Sequence, residues 1–165
     1  MRVWLAVALL LGGTGVTRLP AQEDGLAVGG PAPVVTVHDL EGRPVDLGRY
    51  LGKQPVFLEW WATWCENCEA LLPRVRAARA ELGDRVAFFG INVAVNQSPE
   101  RVRRFLQKTE VPYRTLYDDE GVSTRAYGAP ATSYIVIVDR DGRVAYTGLG
   151  RDQDFLPALR RVAAQ

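Results

Sequence analysis

Apolar residues in this chain occur in runs of strand and helix length, and residues typical of turns separate the runs. The three runs with the fewest polar positions span residues 55–61, 86–93 and 134–138. Nearly continuous apolar sequence of this length is typical of strands that are buried on both faces of a sheet. The pattern therefore predicts three core strands.

Shorter apolar segments lie on either side of these core strands. Residues 34–37 and 45–47 flank the turn Glu41-Gly42-Arg43-Pro44, which predicts an N-terminal β-hairpin. Residues 143–147 follow the turn Asp139-Arg140-Asp141-Gly142 and predict a strand that pairs back onto the third core strand.

Three segments have the composition and start signals of helices. They span residues 67–82, 98–108 and 152–164. Ser98 is a helix N-cap followed by Pro99 at the first helical position, whereas Pro73 predicts a kink inside the first helix. The order β–α–β–α–β–β–α predicts an α/β protein with a central mixed β-sheet flanked by helices and an N-terminal β-hairpin extension.

Composition narrows the class of protein. The chain has 165 residues, of which 47% are hydrophobic and 24% are charged, as expected for one globular domain with a sizeable core. Its formal net charge of +1 argues against a nucleic-acid partner held by a general basic field.

The N-terminal residues have the pattern of a secretory signal. Met1-Arg2 is followed by the apolar run 3–11, by glycines, and by Leu19-Pro20-Ala21. We therefore expect a cleavable signal peptide at 1–21, a linker at 22–30 and the folded domain at 31–165. The prediction places the domain in the periplasm or another extracytoplasmic compartment, where disulfides persist.

Cys65 and Cys68 are the only cysteines, in the sequence Trp64-Cys65-Glu66-Asn67-Cys68. Two intervening residues allow both sulfurs to meet in the first turn of a helix, as a reversible dithiol–disulfide centre requires. Two cysteines exclude a four-cysteine zinc site, and Glu69 stands where haem attachment needs histidine. A structural disulfide is the alternative, but so short a loop restrains the unfolded chain little. We expect a redox-active pair with no other cofactor and no bound metal.

The surroundings of the pair suggest roles for individual residues. Cys65, at the start of the predicted helix, is expected to be the more exposed sulfur and the nucleophile, and Cys68 is expected to resolve the mixed disulfide. Glu59 lies six residues earlier in an apolar strand, so burial should raise its pKa and let it accept the proton of Cys68. An acid at a strand edge or in a structural ion pair is the alternative interpretation of Glu59.

Other neighbours suggest how the site meets its substrate. Trp64 is expected to form a surface that contacts substrate, whereas Trp60 or Trp61 belongs to the core. Glu66 and Glu69 oppose the helix dipole, disfavour a Cys65 thiolate, and so indicate a reducing pair.

These segments together resemble the exported thioredoxin-like family of TlpA/ResA-type thiol–disulfide oxidoreductases. The matching stretches are Gly30-Pro31-Ala32-Pro33, residues 42–47, 55–68, 127–128, 139–142 and 148–150. The resemblance implies a thioredoxin-like fold, and it places Glu59 on the buried acid that thioredoxins keep six residues before the first cysteine.

The chain departs from the family pattern at two positions. Asn67 replaces the proline that is usual before the second cysteine. The family's cis-proline should lie six residues before Asp139, where this chain has Ser133, preceded by Thr132. Either Pro130 serves through a rearranged loop, or Ser133 holds the position with a trans bond, which we favour because only an X–Pro bond makes cis inexpensive. Thr132 and Ser133 are then expected to bind substrate.

The favoured function is an exported monomeric enzyme that reduces disulfides of cysteine-containing clients. The resemblance suggests an apocytochrome or a metallochaperone as the client, with electrons from a membrane thiol transporter. A peroxiredoxin-like peroxidase is one alternative, although Ala62 stands where its motif needs a hydroxyl. A copper-binding metallochaperone that uses His38 with the cysteines is another, but the simpler interpretation of His38 is a surface strand residue.

Overall fold

The computed structural model describes residues 25–165, so the predicted signal peptide at 1–21 lies outside the described residues. Seven strands and four α-helices form in this part of the chain. The strands are β1 Thr36–His38, β2 Pro44–Asp46, β3 Val56–Trp61, β4 Ala87–Asn92, β5 Arg114–Tyr117, β6 Tyr134–Val138 and β7 Val144–Gly148. The helices are α1 Glu66–Leu82, α2 Pro99–Leu106, α3 Val122–Ala126 and α4 Leu156–Ala163.

All seven strands belong to one mixed sheet with the order β2-β1-β5-β4-β3-β6-β7. Strands β3, β4 and β5 are parallel to one another, whereas β6 and β7 pair antiparallel on the other side of β3. The predicted α/β class and mixed sheet are confirmed. Strand β3 lies in the interior of the sheet, which explains why all six of its residues are buried.

The N-terminal hairpin is confirmed, and it is attached to the main sheet. Strands β1 and β2 pair antiparallel, and β1 joins β5 where His38 lies opposite Tyr117. The described part of the predicted linker also lies against the domain, because the Gly29 N–H donates to the Val144 carbonyl at 2.8 Å.

Several predicted boundaries differ from the structure. Strand β5 and helix α3 were not predicted, because four and five residues are too few to show a clear hydrophobic period. Helix α4 begins at Leu156 rather than at residue 152, whereas α1 continues through Pro73. No helix within residues 25–165 is both long and apolar enough to cross a membrane.

The two faces of the sheet carry separate apolar cores. On one, Phe57 of β3 packs with residues of α1 and α4, and we call this the α1 face. On the other, Val56, Leu58 and Trp60 pack with the hairpin and with residues of α3, and we call this the α3 face. Glu59 and Trp61 follow Phe57 at alternate positions of β3, so they lie on the α1 face.

Candidate active site

The cysteine pair lies where β3 leaves the sheet and α1 begins. Cys65 is the N-cap of α1, and its Sγ accepts a hydrogen bond from the Cys68 N–H at 3.1 Å. The two residues form a disulfide, with their Cα atoms 5.3 Å apart. The predicted placement of both sulfurs in the first turn of a helix therefore matches the structure.

Overall exposure does not distinguish the two cysteine residues in the disulfide form. Cys65 is 8% exposed and Cys68 is 7% exposed, so the expectation that Cys65 is the more accessible is not met. Both lie in one cluster with Trp61, Val102 and Tyr117, which shields them about equally. What distinguishes them is their place in the helix, because Cys65 is the N-cap and accepts from one first-turn amide, that of Cys68, which lies inside the turn.

Opposing electrostatic influences act on the first turn of α1. The positive end of the helix dipole stabilises a thiolate at the N-cap position. The acidic residues of this turn, Glu66 and Glu69, both exposed, act in the opposite direction. The site therefore carries less positive potential than a helix start without acids.

Glu59 is buried in the interior of the sheet. Its side chain is 1% exposed, and its Oε1 has no hydrogen-bond partner. Burial raises the pKa of this carboxyl from 4.5 to about 8. Because β3 has neighbours on both sides and no described residue forms an ion pair with Glu59, the edge and ion-pair interpretations are not supported.

Three other buried polar atoms without a partner lie on the same face as Glu59. They are Trp61 Nε1, Asn92 Nδ2 and Thr115 Oγ1. Sheet register brings these residues together: Glu59 and Thr115 lie on either side of Gly90, and Asn92 lies beside Trp61. The α1 face thus has a polar region below the disulfide.

Tyr113 covers this polar region, and sequence reasoning missed it. A Cβ at Gly90 would lie 2.1 Å from Tyr113 Cε2, so the tyrosine ring occupies the space that the glycine leaves free. Tyr113 also packs on Trp61, with ring centroids 6.0 Å apart, and burial raises its pKa. No local pattern predicts this contact, because residues 109–113 precede a strand that the sequence did not reveal.

A cavity of about 200 Å³ opens beside the disulfide. Its walls are mostly apolar, with Glu66 and Glu69 also lining it. The apolar and aromatic lining residues are Trp61, Trp64, Leu72, Phe105, Val111 and Tyr113. Such a cavity can receive an apolar side chain that flanks a cysteine of another protein.

Trp64 lies at the rim of this cavity, as the sequence predicted for a surface residue. It is 44% exposed, and its Nε1 donates to the Val95 carbonyl at 3.0 Å. The neighbouring Thr63 N–H donates to Gln97 Oε1 at 3.1 Å. The loop between β4 and α2 therefore holds Thr63 and Trp64, the two residues before Cys65, in place by hydrogen bonds. Contact of Trp64 with substrate remains a prediction.

Ser133, rather than Pro130, lies at the end of β3. Its N–H donates to the Trp60 carbonyl at 2.7 Å, its Oγ accepts from the Gly150 N–H at 3.2 Å, and its carbonyl accepts from Gln153 Nε2 at 2.7 Å. No peptide bond between residues 25 and 165 is cis, and Pro130 is exposed.

Ser133 has a structural role, because its hydrogen bonds join the end of β3 to the loop between β7 and α4. Ser133 is fully buried, its N–H and carbonyl are paired within the protein, and its Oγ accepts a hydrogen bond from the Gly150 N–H. These contacts are structural, and contact of Ser133 with substrate remains a prediction. Thr132 is half-buried, and its contact with substrate remains a prediction.

His38 does not approach the cysteines. It lies on β1, which is three strands from β3, so it is about 14 Å from β3 across the sheet. Its Nδ1 lies 3.2 Å from Asp119 Oδ1 instead. A copper site that combines His38 with both sulfurs is therefore not supported. Within residues 25–165, no three His, Cys, Asp or Glu side chains are grouped as a metal site would require.

Comparisons with known proteins agree with this geometry. The profile of the Redoxin family matches residues 27–162. The thiol-disulfide oxidoreductase ResA of Geobacillus thermodenitrificans is 31% identical over 149 residues, which are 87% of this chain and 83% of that protein. The thioredoxin-like protein YneN of Bacillus subtilis is 28% identical, with 86% of each chain covered.

Solved structures show the same fold. A secreted disulfide oxidoreductase of Mycobacterium tuberculosis, homologous to E. coli DsbE, is 26% identical with a TM-score of 0.65, covering 79% of this chain and 96% of that one. The thioredoxin domain of a thiol-disulfide oxidoreductase of Bacteroides vulgatus has a TM-score of 0.70 at 21% identity, covering 82% and 97%. The chain therefore belongs to the Redoxin family, as a thioredoxin-like protein of the TlpA/ResA type.

Proposed function

We propose that this thiol–disulfide oxidoreductase reduces disulfides in exported client proteins. The observation that supports this direction is the acidic first turn of α1, where Glu66 and Glu69 follow the N-cap Cys65. A carboxylate near the helix start disfavours the thiolate, and a less stable dithiol form passes its electrons on more readily.

The reaction needs two thiol exchanges. The Cys65 thiolate attacks a client disulfide, forms a mixed disulfide, and releases one client thiolate, which takes a proton from water. Cys68 then loses its thiol proton and attacks the Cys65 sulfur. The Cys65–Cys68 disulfide forms, the second client thiolate leaves, and two electrons have passed to the client.

Glu59 is the group that we assign to accept the proton of Cys68. It lies on the sheet face that α1 covers and on the strand that leads to Cys65. With a pKa raised by burial to about 8, it exchanges protons close to neutral pH, as a general acid–base catalyst requires.

Export and the partners are inferred from the sequence and from the names of relatives. The residues 1–21 have the order of a secretory signal. The Mycobacterium tuberculosis relative is described as secreted. Clients are then exported proteins with cysteines, an apocytochrome or a metallochaperone among them, and a membrane thiol donor returns electrons to the monomeric enzyme.

The test combines trapping with a redox titration. Purified Cys68→Ala should form a stable mixed disulfide through Cys65 with an oxidised peptide, whereas Cys65→Ala should form far less. The equilibrium of the wild-type pair with dithiothreitol should lie on the reducing side of glutathione. A potential near that of strongly oxidising disulfide donors would overturn the proposed direction, and failure of the pair to cycle would overturn the exchange activity itself.

The peroxidase alternative gains no support from the site. Ala62, three residues before Cys65, is buried and offers no hydroxyl to a peroxide. A peroxide consumption assay on the reduced enzyme separates the two activities, and we expect only a slow reaction.

A further inference from the structure

The loop between β7 and α4, residues 149–155, contacts the dipeptide between the two cysteines. Arg151 Nε donates a hydrogen bond to Asn67 Oδ1 at 2.9 Å, although the two residues are 84 positions apart in sequence. Asn67 lies inside the short ring that the disulfide closes. A restraint on Asn67 is therefore a restraint on the disulfide turn itself.

The same loop is held on its other side by α1. Arg74, on the second turn beyond Cys68, donates through Nη1 to the Gln153 carbonyl at 3.0 Å and through Nη2 to the Arg151 carbonyl. The Arg151 side chain thus reaches forward to Asn67 while its backbone is fixed to the same helix. Both ends of the contact are anchored.

Gln153 extends these contacts into the sheet. It is 9% exposed, and its Nε2 donates to the Ser133 carbonyl at 2.7 Å and to the Gly150 carbonyl at 2.8 Å. Ser133 in turn donates to the Trp60 carbonyl of β3. The loop therefore connects the cysteine turn to the strand end from which that turn begins.

From this arrangement we infer that Arg151 is a positioning residue of the redox centre and stabilises its disulfide form. Proline would fix the backbone angle φ at position 67 by itself, and asparagine does not. The hydrogen bond from Arg151 supplies that restraint from outside the turn. The inference rests on the proposed thiol–disulfide exchange and adds a residue that sets its equilibrium.

The Arg151–Asn67 hydrogen bond acts within the ring that the disulfide closes, and this decides the direction in which it shifts the dithiol–disulfide equilibrium. Reduction of the disulfide by dithiothreitol transfers two electrons and two protons to the cysteines and opens the ring that contains Asn67. A bond that holds Asn67 in its place within the closed ring stabilises the disulfide more than the dithiol. Removing it should make the pair easier to reduce. The positive charge of Arg151 acts oppositely by stabilising a thiolate, so the measurement belongs at a pH where both thiols are protonated.

The experiment is a double-mutant cycle between Arg151→Ala and Asn67→Pro, read as the equilibrium constant with dithiothreitol. Arg151→Ala alone should shift this constant toward the dithiol by roughly threefold to tenfold, the range of one hydrogen bond. In the Asn67→Pro background, which lacks the acceptor and fixes φ, the same substitution should have no effect. Proline is tolerated at position 67 because the first-turn amides of a helix have no intrahelical partner.

Two further variants separate the contact from charge and from folding. Arg151→Lys retains a donor and the charge, so it should shift the constant less than Arg151→Ala does. Arg140→Ala removes the same charge from another exposed loop and should leave the constant unchanged. An Arg151→Ala constant equal to that of wild type, or an equal shift in the proline background, would overturn the inference. Because wild type must cycle for any constant to be measured, failure of the proposed function is visible separately.

Discussion

Trp60 and Trp61 are neighbours on β3, both buried, yet they face two very different environments. On the α3 face, Trp60 Nε1 donates to Ser123 Oγ at 3.1 Å, and Ser123 Oγ donates to Asp118 at 2.8 Å. On the α1 face, Trp61 Nε1 has no partner, and neither has Glu59 Oε1.

The difference extends to the whole of each face. All four buried side-chain polar atoms that lack a partner within residues 25–165 lie on the α1 face, below the disulfide. Buried polar groups are almost always paired, and exceptions are concentrated where a protein carries out chemistry. The α3 face therefore pairs its buried polar groups, whereas the α1 face keeps a buried carboxyl with an unpaired oxygen, Glu59, at a cost in stability.

The largest expected effect comes from breaking the α3 face at Asp118. Its buried carboxylate accepts hydrogen bonds from the backbone N–H and hydroxyl groups of both Ser123 and Thr124. Asp118→Ala leaves these donors unpaired and should lower the free energy of unfolding by about 4 kcal/mol, as measured by urea denaturation. Asp119→Ala, at the exposed neighbouring position, is the control, and a loss equal to that of the control would contradict the comparison.

The next effect concerns Glu59 and has the opposite sign. Its pKa is 4.5 unfolded and about 8 in the fold, so the folded state holds the extra proton between these values and stability falls as the pH rises through that window. Glu59→Gln should remove this dependence and gain about 3 kcal/mol near pH 7. Urea unfolding from pH 4 to 8 measures it, with exposed Glu69→Gln as the control. Parallel pH curves for wild type and Glu59→Gln would show that the carboxyl is not buried as described.

A matched pair of tryptophan variants sharpens the comparison further. Trp60→Phe and Trp61→Phe remove the same atoms from adjacent buried positions, so the cavity contributions are similar. Only Trp60 loses a hydrogen bond, to Ser123. Trp60→Phe should therefore be more destabilising by about 1 kcal/mol in equilibrium unfolding. Equal losses would mean that Trp61 Nε1 has a partner in solution.

The smallest effect is a gain from removing an unpaired hydroxyl. Thr115→Val keeps the shape of the side chain and deletes Oγ1, so it should raise the free energy of unfolding by about 1 kcal/mol. The counterpart on the α3 face, Ser123→Ala, deletes a paired hydroxyl and should lower it. A loss of stability in Thr115→Val would show that the hydroxyl is satisfied, for example by a bound water.

Local sequence was enough for those features that depend on neighbours along the chain. The apolar runs predicted β3, β4 and β6 to within two residues at each end, and the capping signal Ser98-Pro99 located the start of α2. The spacing of Cys65 and Cys68 predicted the disulfide, and the apolar residues around Glu59 predicted its burial.

Features that depend on contacts between residues far apart in the chain could not be predicted from local sequence. Strand β5 is defined by pairing with β4 and β1, and its four residues have no strong pattern of their own. The similar burial of the two cysteine residues results from packing by residues of β3, α2 and β5, which no spacing rule describes. Counting back from Asp139 singled out Ser133, but it could not show the contacts with Gly150 and Gln153 that surround this residue.

By itself, the sequence determined the reaction chemistry of this protein, because a dithiol with two intervening residues and an acid within an apolar strand are local facts of composition and order. The tertiary structure alone decided how that chemistry is adjusted. It placed Tyr113 over Gly90, gathered the unpaired polar atoms on the α1 face, and brought Arg151 to Asn67. The physical reason is that hydrogen bonding and burial act between side chains close in space, and folding brings together residues that are far apart in the chain.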